Sequence, residues 1–277
     1  MSLVVTPAKD ACGAAVEGVD LRQPISADQA AELRAVWLDH QVLAFPDQPI
    51  DDDQLEAFAL AFGPFGEDPF IAPIPGREHV LEVRREPDET APLFAETWHS
   101  DWSFLATPPS ASILHGRIIP PVGGDTLFSD QYAAYDELAE ELKSQIEGLN
   151  GIHSAGRAYG PDGQYGYGDK GRSMDIRPSE AAMATQTHPI VRAHPETGRK
   201  ALFVSPGYTI GVEGMSAEEG WALLLKIFRH QSQPRFVHRQ SWAQNMLLMW
   251  DNRCLNHMAT GGYDGHRRVL HRATVAG

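Results

Sequence analysis

The chain has 277 residues, of which 42% are hydrophobic and 22% charged, and its 37 acidic against 23 basic side chains leave a net charge of −14. That acidity excludes a surface built to neutralise nucleic-acid phosphates or anionic lipid, which needs clustered Lys and Arg, and no apolar run reaches the roughly 18–20 residues of a membrane helix. The opening stretch from Met1 to Pro7 lacks the basic start and apolar core of a signal peptide, and two distant cysteines, Cys12 and Cys254, make no disulfide framework. The expectation is a cytoplasmic globular protein, long enough to bury one continuous core.

Ser26 stands three residues before Gln29, a capping-box spacing, and Leu33, Val36 and Trp37 form one stripe, so a helix is predicted there. Gln41 to Phe45 reads as a buried strand stopped by Pro46-Asp47, and a second helix follows Asp51 with Leu55, Phe58, Ala59 and Phe62 on one face. Val80 to Arg84 is a further strand, and Glu86 to Thr97 has no periodicity and reads as a loop. Ser110–Ile119 and Asp125–Phe128 are β-rich, and Gln131 to Glu147 is predicted to be one helix carrying Tyr135, Leu138, Leu142 and Ile146. Gly156 to Gln186 holds six glycines and little apolar content, the signature of a lid, a binding loop or disorder. Thr187–Arg192 and Ala201–Val204 flank a Pro-Glu-Thr-Gly turn and read as a hairpin. Ser216 and Glu219 cap a further helix, and strands are predicted over Phe236–Trp242, Met246–Asp251 and Arg268–Thr274. No repeat or linker divides the chain, so the expectation is one domain over residues 1–277, mainly β with flanking helices (α+β), a barrel or sandwich.

Three features carry chemistry. His99-Ser100-Asp101 places an imidazole and a carboxylate two residues apart, on one side of an extended segment, where both can reach one metal ion. With 12 histidines and 37 acids in the chain, chance supplies one or two pairs of that spacing, and the other one, His194-Pro195-Glu196, falls in the predicted turn and is expected at solvent. A remote His257, at the end of the polar turn that follows a strongly apolar strand, completes a two-histidine, one-carboxylate set that leaves open positions on an iron(II) ion; a capped loop histidine is the plainer alternative. In Arg267–Thr274, period-2 alternation puts Arg268, Leu270, Arg272 and Thr274 on one face, with the two guanidinium groups roughly 13 Å apart. They can anchor two anions, or both ends of a long one; an exposed edge strand guarded by arginines is the competing reading. Thr126 stands on a predicted strand after Gly123-Gly124-Asp125.

These pieces, in this order, resemble the TauD/TfdA family of iron(II)- and 2-oxoglutarate-dependent dioxygenases. The similarity rests on Trp98-His99-Ser100-Asp101-Trp102-Ser103-Phe104, Thr107-Pro108-Pro109, Gly123-Gly124-Asp125-Thr126, Trp250-Asp251-Asn252-Arg253 through His257, and Arg267 through Thr274. It extends to Gly18-Val19-Asp20-Leu21 and Ala201-Leu202-Phe203-Val204, nearly the whole chain. The resemblance implies a double-stranded β-helix (jelly roll) and an iron held by His99, Asp101 and His257. It also implies that the distal carboxylate of 2-oxoglutarate is held by Arg268 and Thr126, while Arg272 faces the anionic group of the substrate. Oxygen and 2-oxoglutarate would be consumed to hydroxylate a C–H bond, giving succinate and CO2, and relatives are often dimers or tetramers. Family members that halogenate have a small residue at the Asp101 position, so the acid argues for hydroxylation.

Departures bear on the substrate, expected to be a small organic anion of alkylsulfonate or aryloxyalkanoate type that sheds sulfite or a phenol after hydroxylation. Taurine-cleaving members have His and Asn where this chain has Asp68 and Ala95, Trp102 is bulkier than the usual residue, and Tyr159 and Tyr208 occupy positions that often line the pocket. The stretches Glu147–Ala155 and Arg84–Glu86 look closer to the aryloxyalkanoate-cleaving branch. From the residues alone, a zinc hydrolase using the same ligands and a non-catalytic anion-binding barrel remain alternatives, but both leave the paired arginines without a role.

Overall fold

The computed structural model describes residues 3–277; Met1 and Ser2, the start of the stretch read for a signal peptide, lie outside the described residues. Strands β1 (Val4–Pro7) and β2 (Ala14–Glu17) come first, then helix α1 (Ala27–His40), strand β3 (Val42–Phe45) and helix α2 (Asp52–Leu60). The capping boxes explain both helix starts. Ser26 accepts from Gln29 N while the Gln29 side chain returns to Ser26 N, and Asp51 with Gln54 repeats the exchange, each cap contributing about 1 kcal/mol. Strands β4 (Leu81–Arg85), β5 (Ala111–Ile118) and β6 (Thr126–Asp130) follow, then helices α3 (Gln131–Asp136) and α4 (Glu140–Ile146), strand β7 (Asn150–Ser154) and helix α5 (Gly156–Tyr159). Next come β8 (Thr185–Pro189), β9 (Val191–Ala193), β10 (Lys200–Leu202), β11 (Thr209–Val212) and helix α6 (Ala217–Gln231). The chain ends with β12 (Val237–Gln240), β13 (Leu247–Asp251), β14 (Leu255–Ala259) and β15 (Arg268–Val275).

A seven-stranded sheet runs β1-β2-β3-β13-β5-β15-β4, and a three-stranded sheet runs β12-β6-β14. Alternation along β13 explains how the large sheet is covered on both sides. Leu248 and Trp250 point one way, with Leu114 and Leu270, and pack on Phe128 of β6 and Leu255 of β14, so the two sheets face each other. Leu247 and Met249 point the other way, into a layer closed by Leu33 and Trp37 of α1 and Leu55 and Phe58 of α2. A further sheet, β11-β7-β8, and the β9–β10 pair lie beyond, and α6 buries Leu223, Leu224, Ile227 and Phe228 with Ile146, Leu202 and Val212. The architecture is mixed and rich in sheet.

Three expectations are corrected and one competing reading, the edge strand, is set aside. The helix expected over Gln131–Glu147 is two, because the chain turns extended at Ala139. That turn brings Leu138 and Ile146 into one core cluster and puts Glu140 and Glu141 at a new helix N-terminus, where the dipole favours them. The predicted hairpin keeps only β9 and β10, while β8 pairs with β7. Ile190 between them bonds to both sides, donating to Leu149 O and accepting from Phe203 N. Strand β15 is no edge, since it lies between β5 and β4. His257 sits inside β14, paired with Phe128, rather than at the end of a turn.

In segment 156–186, a four-residue helix and a single 3-10 turn (Glu180–Met183) bracket irregular chain, yet Tyr159, Tyr165 and Met174 are buried in it. Gly123 opens the turn into β6 at φ +66°, and a Cβ there would stand 2.6 Å from Gly262 O. Gly123→Ala is therefore expected to lower unfolding free energy by about 2 kcal/mol or more, measured by urea titration, because a left-handed backbone and a backbone clash coincide.

Candidate active site

His99 and His257 come from distant parts of the chain and are joined by an antiparallel bridge, His99 N donating to His257 O at 3.0 Å and His257 N to His99 O at 2.7 Å. The bridge sets their imidazole rings 4.2 Å apart, centroid to centroid. Asp101 follows His99 in a tight turn, with its Oδ1 3.6 Å from His99 Nε2 and 3.8 Å from His257 Nε2. Those separations are too long for hydrogen bonds. Three donor atoms, all buried and all within 4.8 Å of one another, converge on a common point without bonding each other, which is the arrangement a metal ion fills.

The protonation states suit that role. His99 Nδ1 donates to Thr97 O at 2.8 Å, which turns Nε2 toward the cluster. Burial, with help from neighbouring His99, pushes the His257 imidazole down to about 3, so it stays neutral. Its ring is held by packing, 4.7 Å from Trp250 and 6.1 Å from Phe128. Burial alone would raise the Asp101 pKa, but the Arg272 guanidinium overcomes it and holds the carboxyl well below the usual range.

Two clefts meet at this cluster, of about 690 and 720 Å³ with their open mouths. Arg268, Leu270 and Arg272 all line the first, as the alternation requires. Its far end is formed by Arg268, Thr126 and Tyr263. Arg268 is 5% exposed and donates to Gly124 O at 3.0 Å, but its Nε has no partner and it pairs with no carboxylate among the described residues. Thr126 Oγ1 accepts from Trp242 Nε1 at 3.0 Å beside it. A buried guanidinium without a counter-ion is costly, so this end of the cleft can take up an incoming anion.

The second cleft is lined by Trp102, Tyr159, Tyr165, Tyr208 and Phe94, with Arg157 and Gln164 farther along. Trp102 and Ala95 adopt positive φ of 47° and 59°, strain of the kind that collects at binding sites. Arg272 belongs to both clefts. Its Nη2 lies 3.3 Å from Asp68 and 3.4 Å from Asp101, and its guanidinium carbon is 4.9 Å from the Trp102 ring. Asp68 stands behind the wall, accepting from Trp102 Nε1 at 2.7 Å; burial raises its pKa, against the pull of Arg272. Thus the structure gathers nine of the ten residues singled out from sequence around two joined clefts, and puts Asp68 just behind them.

His194 is where the sequence reading fails. It is 2% exposed rather than at solvent, with Nε2 3.0 Å from Asp251 Oδ2 and Nδ1 accepting from Glu196 N and Thr197 N. Arg253 chelates the same carboxylate at 2.8 and 2.7 Å. Although His194, Asp251 and Cys254 lie close enough for a metal, the histidine and carboxylate valences are spent on this network, which anchors the turn between β13 and β14. Two residues near Asp101 escaped notice, Ser112 and Asn252. Ser112 could have been found from its alternation with Leu114 on a predicted strand, and Asn252 from its place in the Trp-Asp-Asn-Arg stretch.

A family model described as taurine catabolism dioxygenase TauD, TfdA family matches residues 5–274. The alpha-ketoglutarate-dependent 2,4-dichlorophenoxyacetate dioxygenase of Cupriavidus pinatubonensis is 36% identical, over 99% of this chain and 98% of that protein. The alkylsulfatase of Acinetobacter baylyi is 30% identical, over 96% of this chain and 82% of that protein. Among solved structures, AAD-2 in complex with Mn(II) and N-oxalylglycine has a TM-score of 0.82 at 33% identity, covering 100% of this chain and 98% of that one.

Arg268→Met keeps the volume of the side chain while removing its charge. The unliganded variant is expected to unfold at the same temperature as the parent or higher, and to lose any thermal stabilisation by 2-oxoglutarate; differential scanning calorimetry with and without the dicarboxylate checks both.

Proposed function

The chain belongs to the TauD/TfdA family of iron(II)- and 2-oxoglutarate-dependent dioxygenases, and on that premise we propose that His99, Asp101 and His257 hold the metal and that Arg268 and Thr126 hold the distal carboxylate of 2-oxoglutarate. The observation that carries this reading is the buried Arg268 guanidinium, unpaired at the end of a cleft whose other end is the His-Asp-His cluster. In the same reading the two facing sheets are the double-stranded β-helix of the family, the chain works as one catalytic domain, and segment 156–186 is the lid over the second cleft.

Iron(II), 2-oxoglutarate and oxygen together supply hydroxylation of a substrate C–H bond, with 2-oxoglutarate converted to succinate and CO2. The protein's part is to orient and exclude. The ionised Asp101 and the two imidazoles present three ligand atoms from one side, leaving the cleft side free. Arg268 fixes the dicarboxylate's far end, so its near end is directed toward the cluster. Arg272 reads the substrate anion where the two clefts join, and Asp68 and Trp102 hold its guanidinium in place.

The substrate we propose is an aryloxyalkanoate. Trp102, Tyr159, Tyr208 and Phe94 give the second cleft a largely aromatic wall suited to an aryl ring, and the relative from Cupriavidus pinatubonensis is named for such a compound. Hydroxylation of the carbon that bears the aryloxy oxygen releases a phenol and leaves a keto acid or aldehyde. Asp68 and Ala95, in place of the His and Asn of taurine-cleaving members, speak against taurine.

Succinate release, measured over aryloxyalkanoates, alkyl sulfates, alkylsulfonates and amino acids, tests the substrate class. Aryloxyalkanoates are expected to stimulate it most and taurine not at all; stimulation by taurine instead would contradict the reading. Arg272→Lys retains charge but loses the two-pronged contact. It is expected to raise KM for the aryloxyalkanoate about tenfold or more while leaving the KM for 2-oxoglutarate within about twofold.

A further inference from the structure

Behind the cluster lies a hydrogen-bond relay whose direction is forced by the donors available. Trp250 Nε1, which can only donate, donates to Asn252 Oδ1 at 2.9 Å. The other end of that amide is therefore Nδ2, and it donates to Ser112 Oγ at 3.0 Å. Ser112 has one proton, and with its oxygen already accepting, that proton is directed to Asp101 Oδ2 at 2.5 Å. All the polar members are buried: Ser112 0%, Asn252 1% and Asp101 2% exposed.

We infer that Ser112 and Asn252 are positioning residues that assign the two oxygens of Asp101 to different tasks, Oδ2 to the relay and Oδ1 to the metal. The inference rests on the reading of His99, Asp101 and His257 as ligands. Oδ1 is the oxygen that faces both imidazoles, at 3.6 and 3.8 Å, while Oδ2 faces Ser112 and, at 3.4 Å, Arg272. With Oδ2 occupied, the carboxylate binds through one oxygen and does not rotate to bind through two. A second oxygen on the metal would take one of the positions that 2-oxoglutarate and oxygen require.

Asn252 is the common member, because it touches the supports of all three ligands. Its carbonyl accepts from Ser100 Oγ at 2.7 Å, in the residue between His99 and Asp101. Its amide orients Ser112 behind Asp101, and its partner Trp250 packs 4.7 Å from the His257 ring. Outer partners of metal ligands commonly carry about 10–100-fold in metal affinity.

The test is Mn(II) affinity of the full chain, read by the electron paramagnetic resonance signal of free Mn(II), for Ser112→Ala, Asn252→Ala and the double variant. Ser112→Ala is expected to weaken binding by about 10–100-fold while N-oxalylglycine affinity at saturating Mn(II) changes by less than about threefold. Because Asn252 acts on Asp101 through Ser112, the double variant is expected to lose much less than the product of the two single losses. Ser112→Cys, a weaker donor on a somewhat larger side chain of the same shape, is expected between parent and alanine, so the ranking stays readable even if the alanine chain does not fold. Tight parental binding that Ser112→Ala and Ser112→Cys leave within about twofold, or losses that multiply independently, would overturn the relay alone. A parental chain that does not bind Mn(II) would overturn the ligand set with it.

Discussion

Two backbone hydrogen bonds between His99 and His257 are the constraint on which the site depends. The residues are far apart in sequence, and the bridge closes the gap by pairing an irregular segment onto β14. Once the bridge forms, the imidazoles are side by side and Asp101, two residues on, has little choice of position. The glycine at 207 belongs to the same arrangement: a Cβ there would come within 3.0 Å of His99 Cβ. Strand β14 is itself held by β6, so His257 and Thr126 share one small sheet. The large sheet supplies the opposite wall, with Ser112 on β5 and both arginines on β15.

The electrostatics of the site are arranged in opposition. Around Asp101 a buried carboxylate is surrounded by positive and polar groups, and its charge is kept. Around Arg268 a buried guanidinium is given a carbonyl and two aromatic rings, with Tyr263 5.7 Å and Trp242 5.8 Å away, and burial lowers its pKa. In the proposed reading, the first arrangement retains an anion for a cation to bind, and the second retains a cation for an anion. Each costs folding stability, and binding returns it. Arg272 lies between them and already has two acidic neighbours, so it can hold position without a ligand. That difference is why the two arginines on one strand face suit different tasks.

Much of this was legible from residue patterns. Two capping boxes marked helix starts, at Ser26 and Ser216, because a cap is a local exchange of hydrogen bonds between residues three apart; the third, Asp51 with Gln54, emerged only in the structure. The common face of Arg268 and Arg272 followed from the strand period alone. What failed depended on partners distant in sequence. Strand β14 was hidden because Asn256 and His257 are polar yet buried, Asn256 donating to Val204 O at 3.0 Å, and a polar stretch reads as a turn until its partner is known. The break at Ala139 carries no Gly or Pro; it is set by the core that Leu138 and Ile146 both reach. His194 resembled a solvent-facing turn residue because nothing local announces Asp251, 57 positions away. Strands β1, β2, β7 and β11 are only four or five residues long and take their definition from neighbours.

The central claim is that one metal ion held by His99, Asp101 and His257 is chelated by a 2-oxoglutarate whose far end rests on Arg268. Anaerobic titration of the iron(II)-loaded chain with 2-oxoglutarate, followed by visible absorption, tests it most directly. A weak charge-transfer band is expected in the parent, absent in His99→Ala and in Asp101→Ala. A parent with no band, or a band unchanged in either variant, would contradict it.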